Sequence, residues 1–89
     1  MISTDTIYIV KKGEFHGGYS ITKPAFKSKD DAIKRMLHEV QKYNNDVAES
    51  EKRGYSFPIL KSGEVKYEEV VAVFENDFDF ISVFKLELK

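Results

Sequence analysis

From Phe78 to the end of the chain, apolar and polar positions alternate with a period of two. Phe78, Phe80, Phe84, Leu86 and Leu88 share one face, broken only by Ser82, while Ile81, Val83, Lys85 and Glu87 share the other. Such alternation predicts a strand whose apolar series faces the core and thereby sets its register. The Phe80 to Leu88 series is therefore expected to be buried. Val65 to Glu75 predicts the preceding strand, joined to the last one through the turn Asn76-Asp77-Phe78-Asp79.

The pattern changes type towards the amino terminus. Residues 6–12 are β-branched and aromatic and read as an opening strand. Gly13, Gly17 and Gly18 mark 13–18 as a turn or loop. Tyr19 to Thr22 reads as a short second strand, and Pro24, lacking a donor, suits an edge or a strand end. Ser28 then stands as an N-cap with Asp31 three residues on, and Asp30 and Asp31 favour the positive end of a helix.

Ala32, Ile33, Met36, Leu37, Val40, Tyr43 and Val47 recur at helical spacing and form a stripe that can lie on a sheet. On the opposite face, Asp31–Arg35 and Arg35–Glu39 are i,i+4 pairs. Beyond Ala48 the sequence is polar all round. The packed part of the helix is expected to end near Val47 or Ala48, the rest fraying or projecting to Gly54. Tyr55 to Leu60, interrupted by Pro58, predicts an edge strand, and Ser62-Gly63 a hairpin. The whole is an α+β arrangement over residues 1–89: a single domain with a mostly antiparallel sheet in the order β-β-α-β-β-β and one helix on one face.

Composition narrows the chemistry. The 89 residues include no cysteine, which excludes disulfides and thiolate zinc sites. No apolar run approaches the roughly 18 residues of a membrane span, and Met1-Ile2-Ser3-Thr4-Asp5 lacks the features of a signal peptide. A cytoplasmic location, with no membrane partner, is the expectation. The glycines fit neither a phosphate-binding loop nor a dinucleotide fingerprint, and Gly18-Tyr19-Ser20 is not a nucleophile elbow. His16 and His38 have no second histidine at zinc-ligand spacing. Asp77 and Asp79 sit in a wet turn rather than the buried setting of a catalytic pair. No enzyme, cofactor or metal site is expected.

Charge marks two candidate surfaces. Net charge is −1, yet residues 1–43 hold eight Lys/Arg against five Asp/Glu, and residues 44–89 hold six against ten. The acidic candidate is Glu68, Glu69, Glu75, Asp77, Phe78 and Asp79, an aromatic anchor among charges suited to binding a protein. An acidic hairpin can also imitate a DNA backbone. The basic candidate is Lys11, Lys12, Lys27, Lys34, Arg35 and Lys42, together with Lys23 and Lys29, near Phe15, His16 and Tyr19, a combination suited to nucleic acid. The plainer reading of both is a solvated charged face.

The run Ile7-Tyr8-Ile9-Val10, the glycine turn, and Ser20-Ile21-Thr22-Lys23-Pro24-Ala25-Phe26-Lys27-Ser28-Lys29-Asp30-Asp31-Ala32 together resemble the start of small proteins common in phages and Gram-positive bacteria. In these an opening strand and turn lead to a strand ending in Phe and a Ser-x-x-Asp/Glu-Ala helix start. The resemblance spans residues 7–40 and implies no catalytic residues. It implies modulation of a host factor, in the host cytoplasm. The expected function is a small non-enzymatic protein-binding module whose partner is a host or cognate protein. The alternatives are a nucleic-acid-binding module and a DNA mimic.

Overall fold

The computed structural model describes the backbone of residues 5–88, and the side chains of all of these except 5, 22–24 and 88. Its elements are β1 (Asp5–Glu14), β2 (Tyr19–Phe26), α1 (Lys29–Lys52), β3 (Lys61–Ser62), β4 (Val70–Glu75) and β5 (Asp79–Leu88). One antiparallel sheet runs β2-β1-β5-β4-β3. The class and the order β-β-α-β-β-β are those the sequence predicts. At the centre of the sheet the first and last strands pair along their full length, from Asp5↔Leu88 to Glu14↔Asp79.

The face that carries the core is the reverse of the one expected. Ile81 and Val83 are fully buried, with Val10, Ala32, Met36, Val40 and Leu60, whereas Phe78 is 56% and Leu86 45% exposed. The helix lies on the Ile81/Val83 side, where Val10 pairs with Val83 and Lys12 with Ile81. Compact β-branched side chains there leave room for Ala32 and Met36 of α1 to approach. The rings of Phe80 and Phe84 in their place would hold the helix off. Leu88, the last of the predicted core series, lies outside the described side chains.

Several boundaries also shift. Gly13 belongs to β1 rather than to the turn, because the Phe80 ring packs on its face: a Cβ at Gly13 would lie 2.7 Å from Phe80 Cζ. β2 reaches Phe26 as an edge strand, and Pro24 falls in an irregular stretch between the pairs Val10↔Thr22 and Tyr8↔Phe26, where its missing donor costs little. Tyr55 to Leu60 is not a strand. Lys61 pairs with Glu75, the last residue of β4, so residues before Lys61 would face the Asn76–Phe78 turn and have no ladder to join. Asn44 satisfies the backbone there instead, accepting from Leu60 N at 2.8 Å and donating to Leu60 O at 3.3 Å. No tight hairpin forms at Ser62-Gly63 either. After Gly63 N donates to Val73 O, a loop runs to Glu69, so β4 begins at Val70 rather than Val65.

The helix follows its signals closely. Ser28 Oγ accepts from Asp31 N at 3.3 Å. Val47 is the last buried position, yet the helix projects to Lys52 and closes at Gly54, whose φ of 90° few other residues adopt. Tyr55 N donates to Ser50 O, completing the closure. Leu37 faces solvent. Glu39, placed by its spacing on the solvent side, is instead buried. Its carboxylate accepts Lys12 Nζ at 3.2 Å and Arg35 Nη2 at 3.3 Å. No ion pair joins Asp31 to Arg35 among the described residues.

Candidate functional site

Among the described residues a single helix covers one face of the five-stranded sheet, and the other face carries no helix, only the 64–69 loop along one side. Cross-strand pairing places on that open face Ile7, Ile9 and Lys11 of β1, Ile21 and Tyr19 of β2, Phe80, Ser82, Phe84 and Leu86 of β5, and Val70, Val73 and Glu75 of β4. Phe15, from the β1–β2 turn, folds onto it, its ring 5.4 Å from that of Phe80. A backbone bond from Phe15 N to Phe78 O ties this turn to the β4–β5 turn.

Lys11 stands in the middle of these rings. Its Nζ is 3.9 Å from the centroid of Tyr19, 5.8 Å from Phe84 and 5.9 Å from Phe80. Cation–π attraction of this kind contributes about 0.5–1 kcal/mol at exposed sites and more when water is removed. Among the described residues no carboxylate lies within ion-pair distance of it. Beside the rings, the 64–69 loop walls an open groove of about 550 Å³ lined by Phe15, Tyr67, Val70, Val73, Phe80 and Phe84, with Glu64, Lys66, Glu69 and Glu75 along it. The face is thus apolar along β5, cationic on the β1 flank and net acidic on the β4 flank, where Glu64, Glu69 and Glu75 outnumber Lys66.

The acidic residues picked out in the sequence do not form one cluster, although Glu69 and Glu75 share the groove. Glu68 and Glu69 precede β4 and lie beside Lys85 and Glu87, whereas Asp77 and Phe78 form the exposed tip at the other end of that strand. Glu75 turns onto the open face opposite Phe80. Asp79 is engaged as a structural acceptor for the Tyr43 hydroxyl. Asn76 Oδ1 accepts from Phe78 N and Asp79 N, which fixes the turn, while its amide reaches Tyr43 and Pro58. Burial and the Asp79 hydrogen bond push the Tyr43 hydroxyl above its ordinary pKa.

The basic residues are likewise divided. Lys11 is on the open face, but Lys12 and Arg35 serve Glu39 on the helix side. Burial pushes the Glu39 carboxyl up, and the Lys12 hydrogen bond with the charges of Lys12, Arg35 and Lys42 more than reverses this, leaving it below its ordinary pKa. Lys27, Lys34 and Lys42 are exposed, and the side chain of Lys23 lies outside the described residues. Among the described residues no group of His, Asp or Glu could hold a metal ion, and no helix is long and apolar enough to cross a membrane.

No family model, curated protein or solved structure matches the chain. The surface stands on its own geometry. Sequence reasoning assigned Phe80, Phe84 and Leu86 to the core and so passed over this face. A signal was nonetheless present: β5 is apolar on both faces at its centre, and one helix can cover only one of them.

Proposed function

We propose that this chain is a non-enzymatic protein-binding module that binds through the open face of its sheet. The observation that carries the reading is a sheet face bare of helix among the described residues, on which Phe80, Phe84 and Tyr19 surround a lysine with no carboxylate in ion-pair range among those residues. Contiguous exposed apolar surface on a small protein marks an interaction site, aromatic side chains are among the residue types that dominate interface energetics, and the lysine among these rings offers a charge for a partner to meet. The partner this face fits presents an apolar surface of its own with carboxylates placed to meet Lys11. A nucleic-acid partner is disfavoured, since the lysines and arginine that would hold phosphates are split between two faces and two are already paired with Glu39.

Two sets of substitutions separate this face from the acidic turn. Ile21→Glu with Leu86→Glu alters only exposed positions of the open face, whereas Glu68→Lys with Asp77→Lys alters the acidic residues. Affinity capture from a bacterial lysate, the source that the resemblance over residues 7–40 implies, should yield proteins retained by the second variant and lost by the first. Circular dichroism establishes that both fold. Retention by the open-face variant with loss by the acidic variant would transfer the function to the turn.

A further inference from the structure

Resting on the open face as the binding surface, we infer that its occupant is a second copy of this chain, packed sheet to sheet about a two-fold axis running along β5. The strand order supplies the argument. β1 and β4 flank β5 on opposite sides, so rotation about an axis parallel to β5 stacks β1 of one copy on β4 of the other. Lys11 and Val73 both pair with Ser82, which puts them at the same level along β5. Each Lys11 therefore meets the other copy near Val73, with Glu75 two residues away, about 7 Å along the strand. That is within reach of a lysine side chain. Because the cation lies on one flank and the carboxylate on the other, one rotation brings opposite charges together twice. An axis across the strands would instead stack β1 on β1 and oppose the two lysines.

Two further observations favour a face-to-face copy. Both sheet edges are blunted, β2 by its Pro24 irregularity and β3 by being two residues long, so pairing edge to edge is poorly supported. The chain also exposes 6711 Å², against about 5,400 Å² for a compact monomer of its mass. The projecting end of α1 accounts for part of the excess. A standard interface removes about 800 Å² from each partner, so one contact over the open face would account for more than half of the excess of about 1,300 Å². Two sheets facing one another pack about 10 Å apart, a spacing that interdigitated Phe80 and Phe84 rings can fill.

Sedimentation equilibrium of the full chain from low to high micromolar concentration tests the inference. The unsubstituted chain should form a dimer, and Lys11→Glu and Glu75→Lys should each weaken it at least about tenfold through like-charge contacts. An equimolar mixture of the two variants should regain the dimer, because each mixed interface again sets opposite charges together at both positions. A monomer throughout the range would overturn the second-copy inference and leave the open face to be judged by the capture experiment. A dimer indifferent to both charge reversals, or a mixture that does not recover, would overturn the two-fold arrangement. A dimer that also survives Leu86→Glu would remove the open face as its contact surface.

Discussion

Two substitutions on the same strand provide the sharpest test of which sheet face is the core. Ile81→Ala and Leu86→Ala both replace a large aliphatic residue of β5 with alanine; β-branched isoleucine gives up more strand preference than leucine, but the whole scale spans only about 1 kcal/mol. They differ in burial. Ile81 is 2% exposed among Val10, Val83 and the α1 residues, and its truncation leaves a cavity that the helix and sheet can only partly close. The expected cost is about 3 kcal/mol, within the range for aliphatic core truncations. Leu86 is close to half exposed, so its removed carbons lose only part of their transfer free energy and leave no enclosed void; the cost should be about 1 kcal/mol. Total stability for this length is roughly 4–13 kcal/mol, so the first change removes a large share and the second does not. Urea unfolding followed by circular dichroism, with a slope of about 1 kcal/mol per molar, should move the midpoint about 3 M for Ile81→Ala and about 1 M for Leu86→Ala. Repeating each titration at two protein concentrations separates folding from association. A Leu86→Ala shift equal to or larger than that of Ile81→Ala, independent of concentration, would mean that the core lies on the Phe80/Phe84 face.

Other expectations follow from particular contacts. Asn44→Ala should strip the buried Leu60 N–H of its acceptor, cost about 1–3 kcal/mol, and speed hydrogen exchange at Leu60 well beyond its effect elsewhere. Gly13→Ala should push the Phe80 ring off the open face at a cost of about 1–3 kcal/mol, visible as shifted Phe80 and Tyr19 ring resonances in NMR spectra; unchanged resonances would contradict the packing. The Glu39 carboxyl lies below its ordinary pKa of 4.5 in the folded chain, so its contribution is present above that pH and is lost as pH falls through the folded value. Glu39→Gln should accordingly reduce stability at neutral pH and flatten the acid limb of the stability profile. Tyr43 is raised above 10, so its contribution is present below pH 10 and is lost as pH rises through the folded value. Tyr43→Phe should flatten the alkaline limb alone.

Much of the architecture is local chemistry and can be read residue by residue. Ser28 and Asp31 start the helix through a side-chain hydrogen bond within one turn, and Gly54 ends it because its φ is positive. The strands of the Phe78–Leu88 alternation and of residues 6–12 follow from spacing and β-branching, and the β-β-α-β-β-β order follows from these in sequence. What alternation cannot carry is the choice between two faces. Phe80, Phe84 and Leu86 against Ile81 and Val83 is a contest between two apolar series, and it was decided by where α1 could approach closely. The same holds for Tyr55–Leu60, where strand-forming residues found no strand opposite them, and for Glu39, whose burial depended on Lys12 arriving from a strand 27 positions away in sequence. The interaction surface belongs to this second group. The sequence by itself determined the class, the order of helix and strands and both ends of the helix, because those depend on neighbours within a few residues. Only the tertiary structure decided which apolar face became core and which, with Lys11 among its rings, was left open, because that depends on packing between elements far apart in the chain.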